Sequence, residues 1–280
     1  MAAVDIAAVP RRRPWRRTIA GLRAIVTGGS SGVGRAVAVE LARRGARVIA
    51  TARRADRLRL LADGSGGTID AIDGDITDAA FRRRLVDASV ERLGGLDLVV
   101  AAAGAGAIGR FRDGSAAMLT RIMDVDFLAP AELVRVCLPR LAESPDPAIV
   151  LVGSILGRHP LPLHGDYCAA KAALRSLAGT LRLELAADGI DVLLASLGPT
   201  ASEFWDHLLS GSRPAWSRGR PLSADRTAKA IVAGLVRRRA EVLPGWRARG
   251  FALAARLCPS LIDTVTARAA RHLPHEVSVP

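Results

Sequence analysis

From residue 22 onward, short apolar runs recur along the chain: LRAIVT (22–27), ARVIAT (46–51), GTIDAID (67–73), LDLVVAA (96–102), PAIVLVG (147–153) and IDVLLAS (190–196). Between them, apolar residues fall at helical spacing, as in GRAVAVELARRG and AALRSLAGTLRLELAADG. Continuous apolar strands separated by amphipathic helices predict a parallel sheet covered on both faces. The expected architecture is doubly wound α/β, with its hand fixed by right-handed crossovers.

No proline- or glycine-rich linker divides residues 22–245, so they read as one domain. SGSRPAWSRGRP (210–221) is polar and lies between the helix-like EFWDHLL and a helix capped at Ser223. That composition fits a mobile lid over a pocket, spanning about 200–222. Beyond Pro244 the pattern predicts two amphipathic helices broken at Pro259, forming an extension over 246–280. The first twenty residues read as a flexible basic extension, either a solvated tail or a segment touching acidic lipid.

Composition adjusts this picture only slightly. With 280 residues and 50% hydrophobic content but only 4% aromatics, the core must be built from Ala, Val, Leu and Ile. The formal charge of +13 would suggest nucleic acid as a partner. However, 38 of the 40 basic residues are arginines scattered along the whole chain, as a coding bias produces. No helix-turn-helix, zinc finger or stacking aromatic set accompanies them. Cys137, Cys168 and Cys258 form neither a disulfide framework nor a metal pair, so a reducing cytoplasm is expected and no metal is. No apolar run approaches the ~20 residues that span a bilayer.

The first expected strand runs into TGGSSGVG, Thr27–Gly34, and then into a helix. Gly28 permits a sharp turn, while Gly32 and Gly34 let the backbone approach a pyrophosphate and the helix pack on the sheet. Ser30, Ser31 and Val33 complete a loop whose free amides face the phosphates. The second strand ends in ATARR, with Ala52 where a carboxylate would select NAD. Arg53 and Arg54 follow, and with no Asp or Glu competing at this corner they predict NADP(H). Asp75 and Ile76 of GDIT stand where adenine would be contacted.

The only tyrosine, Tyr167, precedes one of only two lysines, Lys171, by four residues in a helical segment. Both side chains therefore share a face. An ammonium beside a phenol, whose ordinary pKa is ~10, stabilises the phenolate and suits Tyr167 to general acid–base work. Ser154, at the end of the fifth strand, could hold the same carbonyl oxygen.

These motifs resemble those of the short-chain dehydrogenase/reductase (SDR) family over about residues 20–245. The resemblance rests on TGGSSGVG, Asp75 of GDIT, Ser154 thirteen residues before Tyr167, Lys171, and LGPTASEF. It implies a Rossmann-type sheet of about seven strands, a catalytic domain over 21–245 and an oxidoreductase acting on a ketone, aldehyde or alcohol. It places Ala102, Gly104, Gly198, Pro199, Thr200 and Ser202 along the cofactor, and Lys171 on the nicotinamide ribose. It also implies a homodimer or homotetramer paired through helices at about 115–142 and 165–187.

Three positions depart from the family pattern. AAAG (101–104) replaces Asn-Asn-Ala-Gly, Leu197 stands where Pro is usual, and Asp126 replaces the fourth catalytic residue, an Asn. Asp126 adds a negative charge near Lys171 and would weaken its effect on Tyr167. An impaired, NADP(H)-binding regulator or scaffold is therefore the alternative to an enzyme. Leu156, His159, His164, Trp205 and Trp216 are expected around a hydrophobic substrate. The C-terminal helices, carrying Trp246, Phe251, Leu253, Leu257 and Leu261 among arginines, suit either a packed cap or a membrane interface.

Overall fold

A computed structural model describes residues 15–212, 219 and 221–271. The expected strands form β1 (Arg23–Thr27), β2 (Arg47–Ala52), β3 (Ile69–Asp73), β4 (Leu98–Ala101), β5 (Ala148–Ser154) and β6 (Asp191–Leu197). Two small strands, β7 (Thr200–Ala201) and β8 (Leu222–Ser223), pair with each other. A seventh strand of the main sheet, β9 (Glu241–Val242), extends it beside β6. The order is β3-β2-β1-β4-β5-β6-β9, and all the pairings are parallel.

The helices are α1 (Gly32–Arg43), α2 (Ala55–Asp63), α3 (Ala79–Leu93), α4 (Ala116–Met123), α5 (Ala129–Ala142), α6 (Gly165–Glu184), α7 (Ala224–Val236), α8 (Trp246–Leu257) and α9 (Pro259–Arg271). Strand periodicity divides the core into two layers. In β1, Ala24 and Val26 join Val37, Leu41 and Ile231 of α1 and α7. Ile25 turns the other way, onto a layer with Leu85, Leu133 and Leu174 of α3, α5 and α6. Each such Ile or Leu contributes roughly 1.5–3 kcal/mol on leaving water. Truncating one to Ala would cost roughly 2–5 kcal/mol through the cavity left behind.

The winding sets the position of the site. The chain runs outward from β1 to β3, then returns to place β4 on the other side of β1. The carboxyl ends of β1 and β4 therefore diverge around a crevice, the usual ligand position in such sheets.

One expected boundary is corrected. Within the described residues the N-terminal segment is docked rather than flexible from Arg17 onward. The Arg17 side chain is fully buried and bonds bidentately to Asp146, and also to Asp191 and the Pro147 carbonyl. Ile19 and Leu22 join the α1-side core. An arginine-rich stretch reads as solvated until its carboxylate partners, more than a hundred residues away, are seen.

The break before Pro259 separates α8 and α9 as expected. Trp246, Leu253 and Leu257, at helical spacing along α8, are exposed, as are Arg247, Arg249 and Arg256 beside them. Among the described residues no helix is long and apolar enough to cross a membrane. Trp216 and most of the polar stretch around it lie outside the described residues.

Candidate active site

The crevice is a cavity of about 1250 Å³. Its floor is the glycine loop. Gly28 has a φ of +71°, and a Cβ there would lie 2.9 Å from the Ala102 carbonyl oxygen. A Cβ on Gly34 would come within 2.5 Å of the Gly28 carbonyl oxygen, so only glycine lets α1 pack this close to its strand. α1 opens at Gly32, and the preceding Ser31 makes no side-chain cap. The first amides of α1 are thus left to a ligand, with the positive end of the helix behind them. Ser30, Ser31, Gly32 and Val33 all line the cavity. A close-approach glycine turn leading to an uncapped helix start fits a pyrophosphate.

At the end of β2, Arg53 and Arg54 both line the cavity. Arg54 donates to Ser30 Oγ (3.1 and 3.2 Å) and Ser31 Oγ (2.5 Å), and its Nη1 lies 2.9 Å from Glu203 Oε2. The expectation that no carboxylate competes at this corner is corrected. Glu203 reaches it from a helical turn, Glu203–His207, that lies 149 residues further along the chain. Arg57 and Arg54 together hold the Glu203 carboxyl down to a pKa of about 2. Asp75 and Ile76 line the same end. Asp75 accepts from the Thr77 amide and hydroxyl at 2.9 and 2.7 Å. Partial burial pushes Asp75 up, but these bonds, with Arg121 and Arg53, hold it below the usual range.

β5 and α6 bring the chemistry together. Ser154 ends β5 and accepts the Leu156 amide at 3.1 Å, which fixes its hydroxyl beside the Tyr167 phenol. Tyr167 and Lys171 sit one turn apart on α6, and the ammonium lies 5.7 Å from the Tyr167 ring centroid. Lys171 Nζ donates to the Val152 carbonyl at 3.2 Å and pairs with Asp126 Oδ1 at 2.9 Å.

Asp126 is completely buried, in a π-helical turn, Asp124–Leu128, inserted between α4 and α5. The wider turn aims its carboxylate inward, where the Ala105 amide approaches both oxygens at 3.3 Å. A Cβ on Gly104 would meet Asp126 Oδ1 at 2.9 Å, so Gly104 leaves room for the pair.

Burial pushes the Asp126 carboxyl up against the pull of Lys171. For Lys171, burial acts downward, but Asp126 and Tyr167 outweigh it and hold the ammonium above its usual range. Tyr167 is half-buried, with its ring open to the cavity. Its phenol stands above its usual value because burial, with Asp126 adding to it, outweighs Lys171 and Ser154. Lys171 was expected to lower the phenol, with Asp126 weakening that effect. Burial of the phenol reverses the net direction, and the Asp126 carboxylate adds to it.

A sequence model of the short chain dehydrogenase family matches residues 23–212. The chain belongs to the short-chain dehydrogenase/reductases. It is 31% identical to Arabidopsis thaliana "11-beta-hydroxysteroid dehydrogenase-like 2" over 88% of this chain and 80% of that protein. It is 34% identical to human "Dehydrogenase/reductase SDR family member 2, mitochondrial" over 69% of this chain and 70% of that protein. Among solved structures, a short-chain dehydrogenase from Streptomyces avermitilis superposes with a TM-score of 0.76 at 27% identity, covering 89% of this chain and 97% of that one. Membership makes this chain an oxidoreductase acting between CH–OH and C=O with a nicotinamide cofactor.

In this SDR, Ala102, Gly104, Pro199, Thr200 and Ser202 line the cavity between the glycine loop and Tyr167. Leu156, His164 and Trp205 also line it, while His159 does not. The expected pocket role of His159 is thus corrected. Its ring packs edge-on against Phe251 at 5.9 Å, and Nε2 lies 3.1 Å from Asp263 Oδ1 without hydrogen-bond alignment. His164 is held below the usual histidine range by burial, and Nδ1 sits 2.8 Å from the Pro162 carbonyl.

Sequence reasoning did not single out Phe204, whose ring stands 5.8 Å from that of Tyr167. It lies in the helix-like EFWDHLL, and one short turn does not show which of its two rings faces the site.

Proposed function

We propose that this chain is an NADP(H)-dependent oxidoreductase that interconverts a bulky apolar ketone or aldehyde and its alcohol, with Tyr167 as general acid and base. The observation that carries this reading is the convergence of Ser154, Tyr167 and Lys171 on one cavity that also contains the glycine loop. The chain's own contribution is proton handling and positioning. Ser154 hydrogen-bonds the substrate oxygen, Tyr167 gives it a proton or takes one away, and Lys171 biases the phenol electrostatically. A bound nicotinamide cofactor supplies or accepts the hydride. Arg53 and Arg54 at the end of β2 favour the cofactor carrying a 2′-phosphate.

Apolar side chains around Tyr167, including Leu156, Leu161, Phe204 and Phe251, favour an apolar substrate. The hydroxysteroid dehydrogenase-like names of several relatives support an alicyclic alcohol or ketone. The apolar stripe of α8, flanked by arginines, suits an anionic lipid surface, where such substrates concentrate. Co-sedimentation with phosphatidylserine vesicles that is lost on Trp246→Ser with Leu253→Ser would bear this out.

The direct test measures NADPH oxidation against a panel of apolar ketones. Tyr167→Phe should lower the rate by roughly 10²–10⁴-fold, the usual weight of a positioned proton donor. Undiminished turnover would overturn the mechanism. The Asp126–Lys171 pair favours a second reading, a cofactor-binding protein with impaired catalysis. NADPH binding without turnover across the panel would select it.

A further inference from the structure

At the end of β2 the cavity holds an anion site occupied by the chain itself. Arg57 Nη1 lies 2.5 Å from both Glu203 oxygens, and Arg54 Nη1 lies 2.9 Å from one of them. His207 Nε2 stands 3.5 Å from the same carboxylate and 3.0 Å from Arg54. The remaining Arg54 nitrogens bond to the hydroxyls of Ser30 and Ser31, in the glycine loop. Two guanidinium groups and two hydroxyls at one corner form a donor set suited to a phosphate monoester, which offers three oxygens and about two negative charges. Glu203 supplies only two oxygens and one charge.

The next residue connects this corner to the chemistry. Phe204 packs on the Tyr167 ring at 5.8 Å and on Gly106, where a Cβ would meet its ring at 2.5 Å. Trp205 stands edge-on to Phe204 at 5.4 Å and 86°. Glu203, Phe204 and Trp205 belong to a single helical turn, so moving the first displaces the others.

We propose that Glu203 is an internal stand-in for the cofactor's 2′-phosphate, and that its displacement by that phosphate draws Phe204 off Tyr167 and widens the cavity beside the tyrosine. The proposal rests on the NADP(H) reading above. The cofactor then binds before the substrate, because Phe204 stands against one side of the tyrosine ring and narrows the cavity there until the phosphate arrives. Displacement is feasible because the ion pair is half-exposed and therefore weak, and a dianion outcompetes a monoanion for two arginines. Glu203 thereby becomes a determinant of cofactor discrimination: it taxes NADPH binding by the fraction of molecules in which the site is already filled.

The test is a fluorescence titration of the full chain with NADPH, NADH and adenosine 2′,5′-bisphosphate. Glu203→Gln should tighten NADPH roughly fivefold, the size expected for releasing an exposed ion-pair cluster, and change NADH by less than twofold. In the wild type, the bisphosphate should change the tryptophan emission. Trp205→Phe should remove that change, and Glu203→Gln should show the shifted emission before any ligand is added. Unchanged or weaker NADPH binding in Glu203→Gln, or no Trp205 signal at saturating bisphosphate, would overturn the proposal. Failure of the cofactor reading looks different: NADH would bind the wild type at least as tightly as NADPH, and Arg54→Ala would leave both affinities unchanged.

Discussion

Two carboxylates meet cations in this cleft under opposite conditions. Asp126 and Lys171 have side chains 0% and 6% exposed, whereas Glu203, Arg54 and Arg57 are 38%, 31% and 40% exposed. The first pair sits where water cannot screen it, so its field acts fully on Tyr167 and its partners cannot separate cheaply. The second is screened, adaptable and replaceable. The same chemical pairing therefore serves two purposes: permanent electrostatics beside the proton-transfer group, and a releasable contact at the cofactor's edge.

The largest expected effect comes from breaking the buried pair on one side. Lys171→Met leaves Asp126 without its counter-ion and should cost roughly 3–5 kcal/mol of unfolding stability in urea, along with activity. Adding Asp126→Leu should restore most of the stability and none of the activity. If Lys171→Met alone unfolds like the wild type, Lys171 is not the counter-ion that keeps Asp126 buried.

A smaller effect isolates the charge on Asp126. Tyr167 is held above its usual pKa by burial and by Asp126, against the opposing Lys171 and Ser154. Asp126→Asn removes one upward contribution, so the phenol should titrate lower. Carbonyl reduction, which needs the protonated phenol, should lose rate at a lower pH than in the wild type. Alcohol oxidation, which needs the phenolate, should reach its plateau earlier. Both limbs should move down by about one unit, the scale on which a neighbouring charge shifts a buried group. Superimposable pH–rate profiles would show that the carboxylate has no hold on Tyr167.

The contrast between the two pairs also marks what the sequence could show. Apolar runs located β1 to β6 because a sheet covered on both faces needs continuous apolar strands. β9 is two residues long and gave no such run. Tyr167, Lys171 and Ser154 were legible because helical spacing and a strand end fix them locally. Asp126 was legible as a position, but its pairing distance and the π-turn that aims it were not, because one added residue in a helical turn leaves no mark on apolar periodicity. Glu203 and Arg17 were misread for a shared reason. Each is decided by partners more than a hundred residues away, and charge pairing has no period to read.

The smallest effect should separate the two regions by salt alone. At 1 M NaCl the screening length falls to ~3 Å, short enough to weaken a half-exposed cluster and too remote from the buried pair to matter. Raising NaCl from about 0.05 M to about 1 M, roughly threefold below and sevenfold above physiological ionic strength, should move the wild-type Trp205 emission toward that of Glu203→Gln. The midpoint of the pH–rate profile governed by Tyr167 should stay where it is. Equal salt sensitivity in both readouts would mean that solvent reaches Asp126 and Lys171 as readily as Glu203. An emission that ignores salt would mean that Glu203 is held by packing of Phe204 rather than by its arginines, and the contact at the cofactor's edge would then open only when the ring itself is displaced.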